Sequence, residues 1–171
     1  MTTPTTPYTT DLGNHEPVLA MRDAATRIGS LTANWTPAQF ERSYAPGKWT
    51  ARQILIHLAQ SELALGNRAR MALTTPGYAS QAFDQDRWMA SEAEGAGGGS
   101  TRSGASGTVA RDALVAMSAF NCAFFESLTP ADRATGFTHP EYGALTVDWL
   151  LHQMAGHLVH HLKQIETIAK A

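Results

Sequence analysis

Cysteine is almost missing from this sequence, in which Cys122 is the only one among 171 residues. A single cysteine excludes an internal disulfide and every zinc site that is built from several cysteines. Because Cys122 stands among phenylalanines, we expect it to be a small buried hydrophobic residue and not a nucleophile. A chain of this length can bury a large apolar core by itself, so it needs no metal merely to fold.

Charge of either sign is also scarce, with 15 acidic and 13 basic residues and a formal net charge of -2. Without a basic surplus, we expect no binding to nucleic acid or to acidic lipid. No stretch approaches the roughly 20 apolar residues of a membrane span, and no basic, apolar leader opens the sequence. These absences favour a soluble cytoplasmic protein whose partner is a small molecule.

What the sequence does contain is helical periodicity in four segments. Apolar spacing predicts helices over residues 17–31, 50–73, 108–128 and 146–170, and the second opens with a capping box formed by Thr50 and Gln53. We expect residues 1–14 to be a flexible tail, residues 94–107 a Gly/Ser-rich loop and residues 137–145 an extended turn. The pattern predicts one all-α domain over residues 15–171, folded as a four-helix bundle.

Three histidines fall close together near the carboxyl end, in the segment AGHLVHHLKQIE. At about 100° per residue, His157 and His161 lie on the apolar face of the predicted helix, whereas His160 lies about 120° away. Histidines at positions i and i+4 can bind one ion from adjacent turns. An HExxH protease motif is excluded because Leu158, not glutamate, follows His157.

A third inward imidazole comes from His57, which lies about 60° from the centre of the apolar face of the second predicted helix. Two helices could then offer His57 on one side and His157 with His161 on the other, with open positions for water or substrate. The competing interpretation is that buried histidines simply find hydrogen-bond partners. The residues alone leave both interpretations open.

Four sequence blocks then point to a family. In their order, PGKWTARQILIHLAQSE, FDQDRW, HPEYG and GHLVHHLKQI resemble the DinB-like superfamily of metal-binding four-helix bundles. The resemblance is strongest to its YfiT-like branch, described as metal-dependent hydrolases and related to bacterial thiol S-transferases. It implies that His57, His157 and His161 bind one divalent transition metal ion, for which Zn, Ni, Fe and Co are all suitable. It also implies a homodimer, while the insertion at residues 94–107 departs from the family pattern and affects one edge of the pocket.

Three neutral histidines leave the charge of a divalent ion uncompensated, so the ion can lower the pKa of a bound thiol or water. The first hypothesis is an enzyme that transfers a low-molecular-weight thiol to an electrophilic small molecule through a metal-bound thiolate. The alternatives are hydrolysis of an amide or ester by metal-bound hydroxide, and a non-catalytic, stress-related metal-binding protein. Transfer stands first because the resemblance points to it and the sequence offers no clear general base for hydrolysis.

Two charged residues on the second predicted helix are candidates for catalysis. Arg68 falls near the inward face, where it either forms a salt bridge with Asp84 or Asp86 or reaches a substrate carboxylate. Glu62 is expected at the boundary of the core, and it could serve as a proton acceptor.

The remaining candidates surround the predicted metal. Asp84 could orient a ligand histidine by accepting its second N–H, and Trp88 could form a wall of the pocket. His160, by its lateral angle, is expected beside the site and not as a ligand. Trp49 is expected to pack against the start of the second helix.

Overall fold

Eight helices and one β-hairpin make up the part of the chain that the computed structural model describes, residues 4–94 and 104–170. The helices are α1 (Pro7–Leu12), α2 (Pro17–Thr32), α3 (Pro37–Phe40), α4 (Ala51–Thr74), α5 (Gln85–Met89), α6 (Gly107–Glu126), α7 (Pro130–Arg133) and α8 (Val147–Ala169), with a π-helical turn at Ala90–Glu94. Helices α2 and α4 each pack against both α6 and α8. The predicted four-helix bundle is confirmed, and the predicted ends of its helices are correct to within two residues.

Side-chain caps determine where the two histidine-bearing helices begin. Thr50 Oγ1 accepts a hydrogen bond from the Gln53 backbone N–H at 3.2 Å, and Gln53 Oε1 accepts one from the Thr50 N–H at 2.9 Å. At the start of α8, Thr146 Oγ1 accepts from the Trp149 N–H at 3.1 Å. These caps satisfy backbone donors that have no partner inside the helix, and so they favour one start for α4 and one for α8.

The bundle is filled by large apolar side chains that are at most 1% exposed, among them Met21, Ile28, Ile54, Leu58, Leu114, Phe125, Leu150, Met154 and Leu158. Cys122 lies in this core, where burial raises the pKa of its thiol to about 11. The prediction that Cys122 is buried is confirmed, and the raised pKa disfavours the thiolate that a nucleophile needs. No helix within the described ranges is long and apolar enough to cross a membrane.

The amino-terminal segment differs from the prediction. The expectation of a flexible tail over residues 1–14 is wrong for residues 7–12, which form α1 under a capping box at Thr6. This helix packs along α8, with Leu12 only 1% exposed, and the Trp149 indole N–H donates to the Pro4 carbonyl at 2.9 Å. Proline at the first helical position and a buried apolar side chain offset the cost of ordering this polar segment.

A β-hairpin occupies the region in which an extended turn was predicted. Strands β1 (Gly136–His139) and β2 (Gly143–Thr146) pair antiparallel, with Phe137 opposite Leu145. The segment at residues 78–80 runs beside β1, since the Ser80 N–H donates to the Thr138 carbonyl at 2.8 Å. This pairing brings the HPEYG turn and the residues after Ser80 next to α4. The predicted loop at residues 94–107 lies outside the described residues from 95 to 103.

Gly156 tests the docking of α1. A Cβ atom at Gly156 would lie 1.8 Å from the Tyr8 carbonyl oxygen, which belongs to the backbone of α1. Gly156→Ala should therefore lower the free energy of unfolding by about 1–3 kcal/mol, although alanine normally favours a helix over glycine. Chemical denaturation measures this change, and limited proteolysis should cut the amino-terminal segment faster.

The matched control is Gly29→Ala in α2, where the added Cβ would meet only a methyl group of Val115, at 3.0 Å. That side chain can adjust, so this variant should be as stable as the parent or slightly more stable. Equal stability of the two variants would contradict the close approach of α1 to α8.

Candidate metal centre

Three histidine side chains meet between α4 and α8. His57 Nε2 lies 2.9 Å from His157 Nε2, which lies 3.1 Å from His161 Nε2. The three side chains can each offer one nitrogen, all within 4.8 Å of one another, and none of the residues is more than 6% exposed. The helical periodicity predicted this arrangement, in which His157 and His161 lie on adjacent turns of α8 and meet His57 of α4.

Burial keeps these imidazoles neutral. Removal from water lowers the pKa of His57 to about 3 and that of His161 to about 4, and it lowers the pKa of His157 well below the usual range. The neighbouring imidazoles add to the effect because each would repel a second positive ring. At neutral pH each ring therefore keeps one nitrogen lone pair, which is the form that binds a metal.

A chain of hydrogen bonds orients His161. In the assigned orientation of the Gln164 amide, its Oε1 lies 2.8 Å from His161 Nδ1 and its Nε2 lies 3.2 Å from His160 Nε2. His160 Nδ1 in turn lies 2.6 Å from the Asp11 carboxylate. A carbonyl oxygen accepts only from N–H, so the His161 proton is on Nδ1 and its Nε2 lone pair faces the other histidines. His160 thus acts on the site through Gln164, and it lies beside the three histidines as expected.

Aromatic rings enclose the three histidines. Phe83 stacks on His57 with a centroid distance of 6.3 Å, and Trp49 lies against the same imidazole at 5.0 Å. Tyr8 of α1 meets His157 edge-on at 4.8 Å. Trp49 therefore does more than pack against the start of α4, because it also covers a predicted metal ligand.

The donor set fits a divalent transition metal ion. Zinc–nitrogen bonds of about 2.0–2.1 Å in a tetrahedral site place ligand nitrogens about 3.3 Å apart, close to the spacing of the Nε2 atoms here. Buried lone pairs that face one another need a cation or a proton between them. Three protein ligands leave at least one position open, which is the pattern of catalytic sites. His57, His157 and His161 would hold such an ion.

A cavity of about 210 Å³ adjoins two of the three histidines, His57 and His157. His57 and His157 contribute to one part of its wall, and Ser61, Arg68 and His139 line it as well. The cavity gives a small molecule room to lie beside the proposed metal position.

The structure excludes one of the two interpretations of Arg68 and the predicted role of Asp84. Arg68 forms no salt bridge with Asp84 or Asp86; its Nη2 donates instead to the Gln81 carbonyl at 2.7 Å. Asp84 caps α5, accepting from the Arg87 backbone N–H at 3.1 Å, and it contacts none of the three histidines. Residues 78–80 run beside β1, and Asp84 stands at the start of α5.

Trp88 does not contact the histidines directly, because Phe83 lies between Trp88 and His57. Its indole meets the Phe83 ring edge-on at 5.0 Å, and Phe83 is the residue that stacks on His57. The predicted wall is therefore formed by Phe83, with Trp88, still 38% exposed, supporting it.

Glu62 faces away from the cavity. It is 4% exposed and not a boundary residue as predicted, and its carboxylate accepts a hydrogen bond from Asn121 Nδ2 of α6 at 2.7 Å. Arg70 Nη1 donates to the other end of the same amide, Asn121 Oδ1, at 2.8 Å. Burial raises the pKa of Glu62 to about 7. This position does not support a role for Glu62 as proton acceptor at the histidines.

Comparison with known proteins identifies the family. The model of the DinB superfamily matches residues 20–165, and the chain belongs to that superfamily. In Oceanobacillus iheyensis, "Putative metal-dependent hydrolase OB0782" is 26% identical over 139 residues, which are 77% of this chain and 72% of that protein. In Bacillus subtilis, "Putative metal-dependent hydrolase YfiT" is 28% identical over 154 residues, 90% of this chain and 82% of that protein.

Two solved structures share the fold. The structure of YfiT from Bacillus subtilis, described as a probable metal-dependent hydrolase with an unusual four-helix bundle topology, aligns with a TM-score of 0.76 at 21% identity and covers 90% of this chain and 84% of YfiT. The mycothiol-dependent maleylpyruvate isomerase aligns with a TM-score of 0.67 at 17% identity, over 96% of this chain and 63% of that protein. At these identities the likeness concerns the fold.

Three residues of the site escaped the sequence analysis. Gln164 could have been found, because it lies three residues after His161 and positions i and i+3 are neighbours on a helix. Tyr8 and Phe83 carry no such signal. Their positions depend on the docking of α1 and on the pairing of residues 78–80 with β1, both of which are tertiary contacts.

The metal site leads to a prediction of stoichiometry. The purified protein should bind about one divalent transition metal ion per chain, and His157→Ala or His161→Ala should remove most of it, since each change deletes one of three ligands. His160→Ala should retain one ion per chain with an affinity weakened about tenfold, because His160 acts only through Gln164. Elemental analysis and a competition titration with a chelator measure both quantities.

His152→Ala is the matched control on the same helix, since His152 bonds to the Asp148 carbonyl and does not reach the site. Its metal content should equal that of the parent. Unchanged metal content in both the His157 and His161 variants would rule out the site.

Glu62 leads to a prediction about pH. Its folded-state pKa of about 7 lies above the ordinary value of 4.5, so the folded chain keeps a proton that the unfolded chain releases. This stabilisation is complete below pH 4.5 and is lost as the pH rises to about 7, a loss of about 3 kcal/mol. The Glu62→Gln variant should keep this stabilisation as the pH rises.

The difference in the free energy of unfolding between Glu62→Gln and the parent reports the titration of Glu62 alone, because the histidines titrate alike in both proteins. Urea denaturation at several pH values should show Glu62→Gln gaining about 3 kcal/mol relative to the parent between pH 4.5 and 7, and no more above that. A pH-independent difference would mean that Glu62 is not buried as the structure shows.

Proposed function

We propose that this chain is a metal-dependent enzyme that transfers a low-molecular-weight thiol to an electrophilic small molecule. The observation that carries the proposal is the convergence of three buried, neutral imidazoles, two of which, His57 and His157, line the wall of a cavity. A divalent ion held there supplies a positive charge that lowers the pKa of a thiol or water in contact with it. In the transfer, the thiol gives its proton to solvent, its sulfur bonds to the electrophilic carbon, and the leaving group departs from that carbon with its electron pair.

The protein does not supply the sulfur itself. Cys122, the only cysteine, is 1% exposed in the core, and burial raises the pKa of its thiol. It lines none of the cavity beside the three histidines. A separate thiol molecule must therefore enter that cavity. The shared fold with a mycothiol-dependent isomerase supports a thiol as co-substrate.

Residues around the cavity prepare it for this chemistry. Phe83, Trp49 and Tyr8 cover the histidines, and the exclusion of water strengthens the attraction between an ion and an anionic sulfur. Burial, with the nearby Tyr142 and Asp11, raises the pKa of Tyr8. Its phenol therefore stays protonated and can donate a hydrogen bond to an oxygen of the electrophile.

Hydrolysis of an amide or ester is the second candidate. The curated relatives in Oceanobacillus iheyensis and Bacillus subtilis carry the name of metal-dependent hydrolases, and water could use the same open position. Against it, Glu62 faces α6, and the carboxylate that lines the cavity, Glu141, is carried by the HPEYG turn and is not attached to the helices that bear the histidines. Transfer needs no such base, because a thiol loses its proton more readily than water does.

Cobalt substitution distinguishes the two candidates. If transfer is correct, glutathione or N-acetylcysteine added to the cobalt-loaded protein should produce a near-ultraviolet sulfur-to-cobalt charge-transfer band. The band should be absent from His57→Ala, which lacks one ligand, and present in His152→Ala. Absorption spectroscopy measures the band, and a thiol-consumption assay with alkylating electrophiles measures the activity.

Activity without added thiol, and no band, would favour the hydrolase; neither band nor activity would leave a non-catalytic metal-binding protein. Removal of the ion by a chelator should abolish activity but leave the helical circular dichroism nearly intact, because the apolar core is built without the site. Unfolding on chelation would instead make the site structural.

A further inference from the structure

The cavity beside the histidines has a second polar region, formed by Arg68 and His139. His57, Ser61 and Arg68 follow one another along α4 at intervals of four and seven residues, which places them on one face of the helix. Eleven residues of helix span about 16 Å, and helical side chains lean towards the amino-terminal end, so Arg68 leans towards His57. A small elongated molecule could contact both regions.

Arg68 brings a positive charge that the described part of the chain leaves without a direct ionic partner. It is 7% exposed, its one hydrogen bond goes to the neutral Gln81 carbonyl, and no carboxylate lies within 4.0 Å of it among the described residues. A guanidinium stays charged in proteins and presents donors in a fork that fits a carboxylate. A buried cation without an ionic partner is costly, so an anionic ligand would relieve that cost.

His139, the first residue of the HPEYG turn, adds a neutral donor. Its Nδ1 accepts from the backbone N–H groups of Glu141, at 3.2 Å, and Tyr142, at 3.4 Å. Since Nδ1 is an acceptor, the ring proton is on Nε2. Burial, together with nearby Arg68, lowers the His139 pKa and so disfavours a second proton. His139 therefore offers an N–H donor while it holds the turn in place.

Ser61 lies between the two regions of the cavity. It is 3% exposed, and its hydroxyl has no hydrogen-bond partner within the described ranges. A buried hydroxyl without a partner costs free energy, which a polar group in the middle of a ligand would recover. The cavity thus presents donors at Arg68, His139 and Ser61 along one path from the histidines.

We propose that Arg68 and His139 form a subsite for a carboxylate, and that the substrate or thiol co-substrate is an elongated molecule with this carboxylate at one end and its reacting group at the histidines. Glu141 lines the same cavity, and its negative charge would oppose a dianionic phosphate more than a singly charged carboxylate. The position of the reacting group rests on the proposed function; the carboxylate subsite stands on its own residues.

The test is a nuclear magnetic resonance titration of the protein, with and without bound zinc, using hexanoate, hexanol and hexyl phosphate as probes. Hexanoate should bind at least tenfold more tightly than hexanol and should shift the Arg68 Nε–H signal. Arg68→Gln should remove this preference without changing the affinity for hexanol, whereas Arg42→Gln, on the exposed surface, should change neither.

Two further variants address the neighbours of Arg68. His139→Asn keeps an acceptor for the turn but loses the Nε2–H donor, so hexanoate should bind about threefold more weakly. Glu141→Gln removes the opposing charge, so hexanoate should bind more tightly. If circular dichroism shows that Arg68→Gln does not fold, Arg68→Lys replaces it as the test. Lysine keeps the positive charge but lacks the forked donors of the guanidinium, so hexanoate should bind severalfold more weakly.

Equal hexanoate binding by the parent and the Arg68 variant would overturn the subsite, and tighter binding of hexyl phosphate would overturn its assignment to carboxylates. The two proposals fail separately. Loss of zinc binding with Arg68-dependent hexanoate binding intact would contradict the proposed function alone. Zinc binding without a carboxylate preference would contradict the subsite alone.

Discussion

Three imidazoles share one small volume from which water is excluded, and this crowding constrains the rest of the site. Protonation would place positive charges within about 3 Å of one another in a low dielectric, so burial holds the rings neutral. Neutral rings whose nitrogens converge can bind a cation or share a proton, and the orientation of His161 depends on its partner Gln164. The capped starts of α4 and α8 give the histidines their angular positions, and the packing of α4 on α8 brings them together.

The amino-terminal helix is part of this arrangement and not an appendage to it. Asp11 of α1 is bonded to His160, and Tyr8 of the same helix lies against His157. Both contacts depend on the close approach of α1 to α8 at Gly156, where any side chain would collide with the backbone of α1. Docking of α1 therefore contributes to folding and to the environment of the proposed metal at the same time, which links the stability of a short helix to the chemistry of the site.

Two consecutive residues of α4, Ser61 and Glu62, lie in different polar environments. Ser61 faces the cavity that His57 and Arg68 also line, whereas Glu62 faces α6 and bonds to Asn121. Successive helical residues differ by about 100°, so neighbours in sequence can belong to different interiors. The curated relatives carry the name of metal-dependent hydrolases, which agrees with the metal proposed at the histidines. In the proposed function, the residues of α4 that line the cavity would contact the substrate.

The sequence by itself determined the four long helices, the capping box at the start of α4 and the inward direction of His57, His157 and His161. All of these follow from apolar spacing and from contacts between residues three or four positions apart, which are local. Only the tertiary structure decided that residues 7–12 fold onto α8, that Phe83 and not Trp88 covers His57, and that Arg68 has no acidic partner among the described residues. It also decided the burial of Glu62 against Asn121. Helical periodicity gives the direction of a side chain on its own helix, but the partner it meets there comes from a distant segment, whose position depends on the packing of the whole chain.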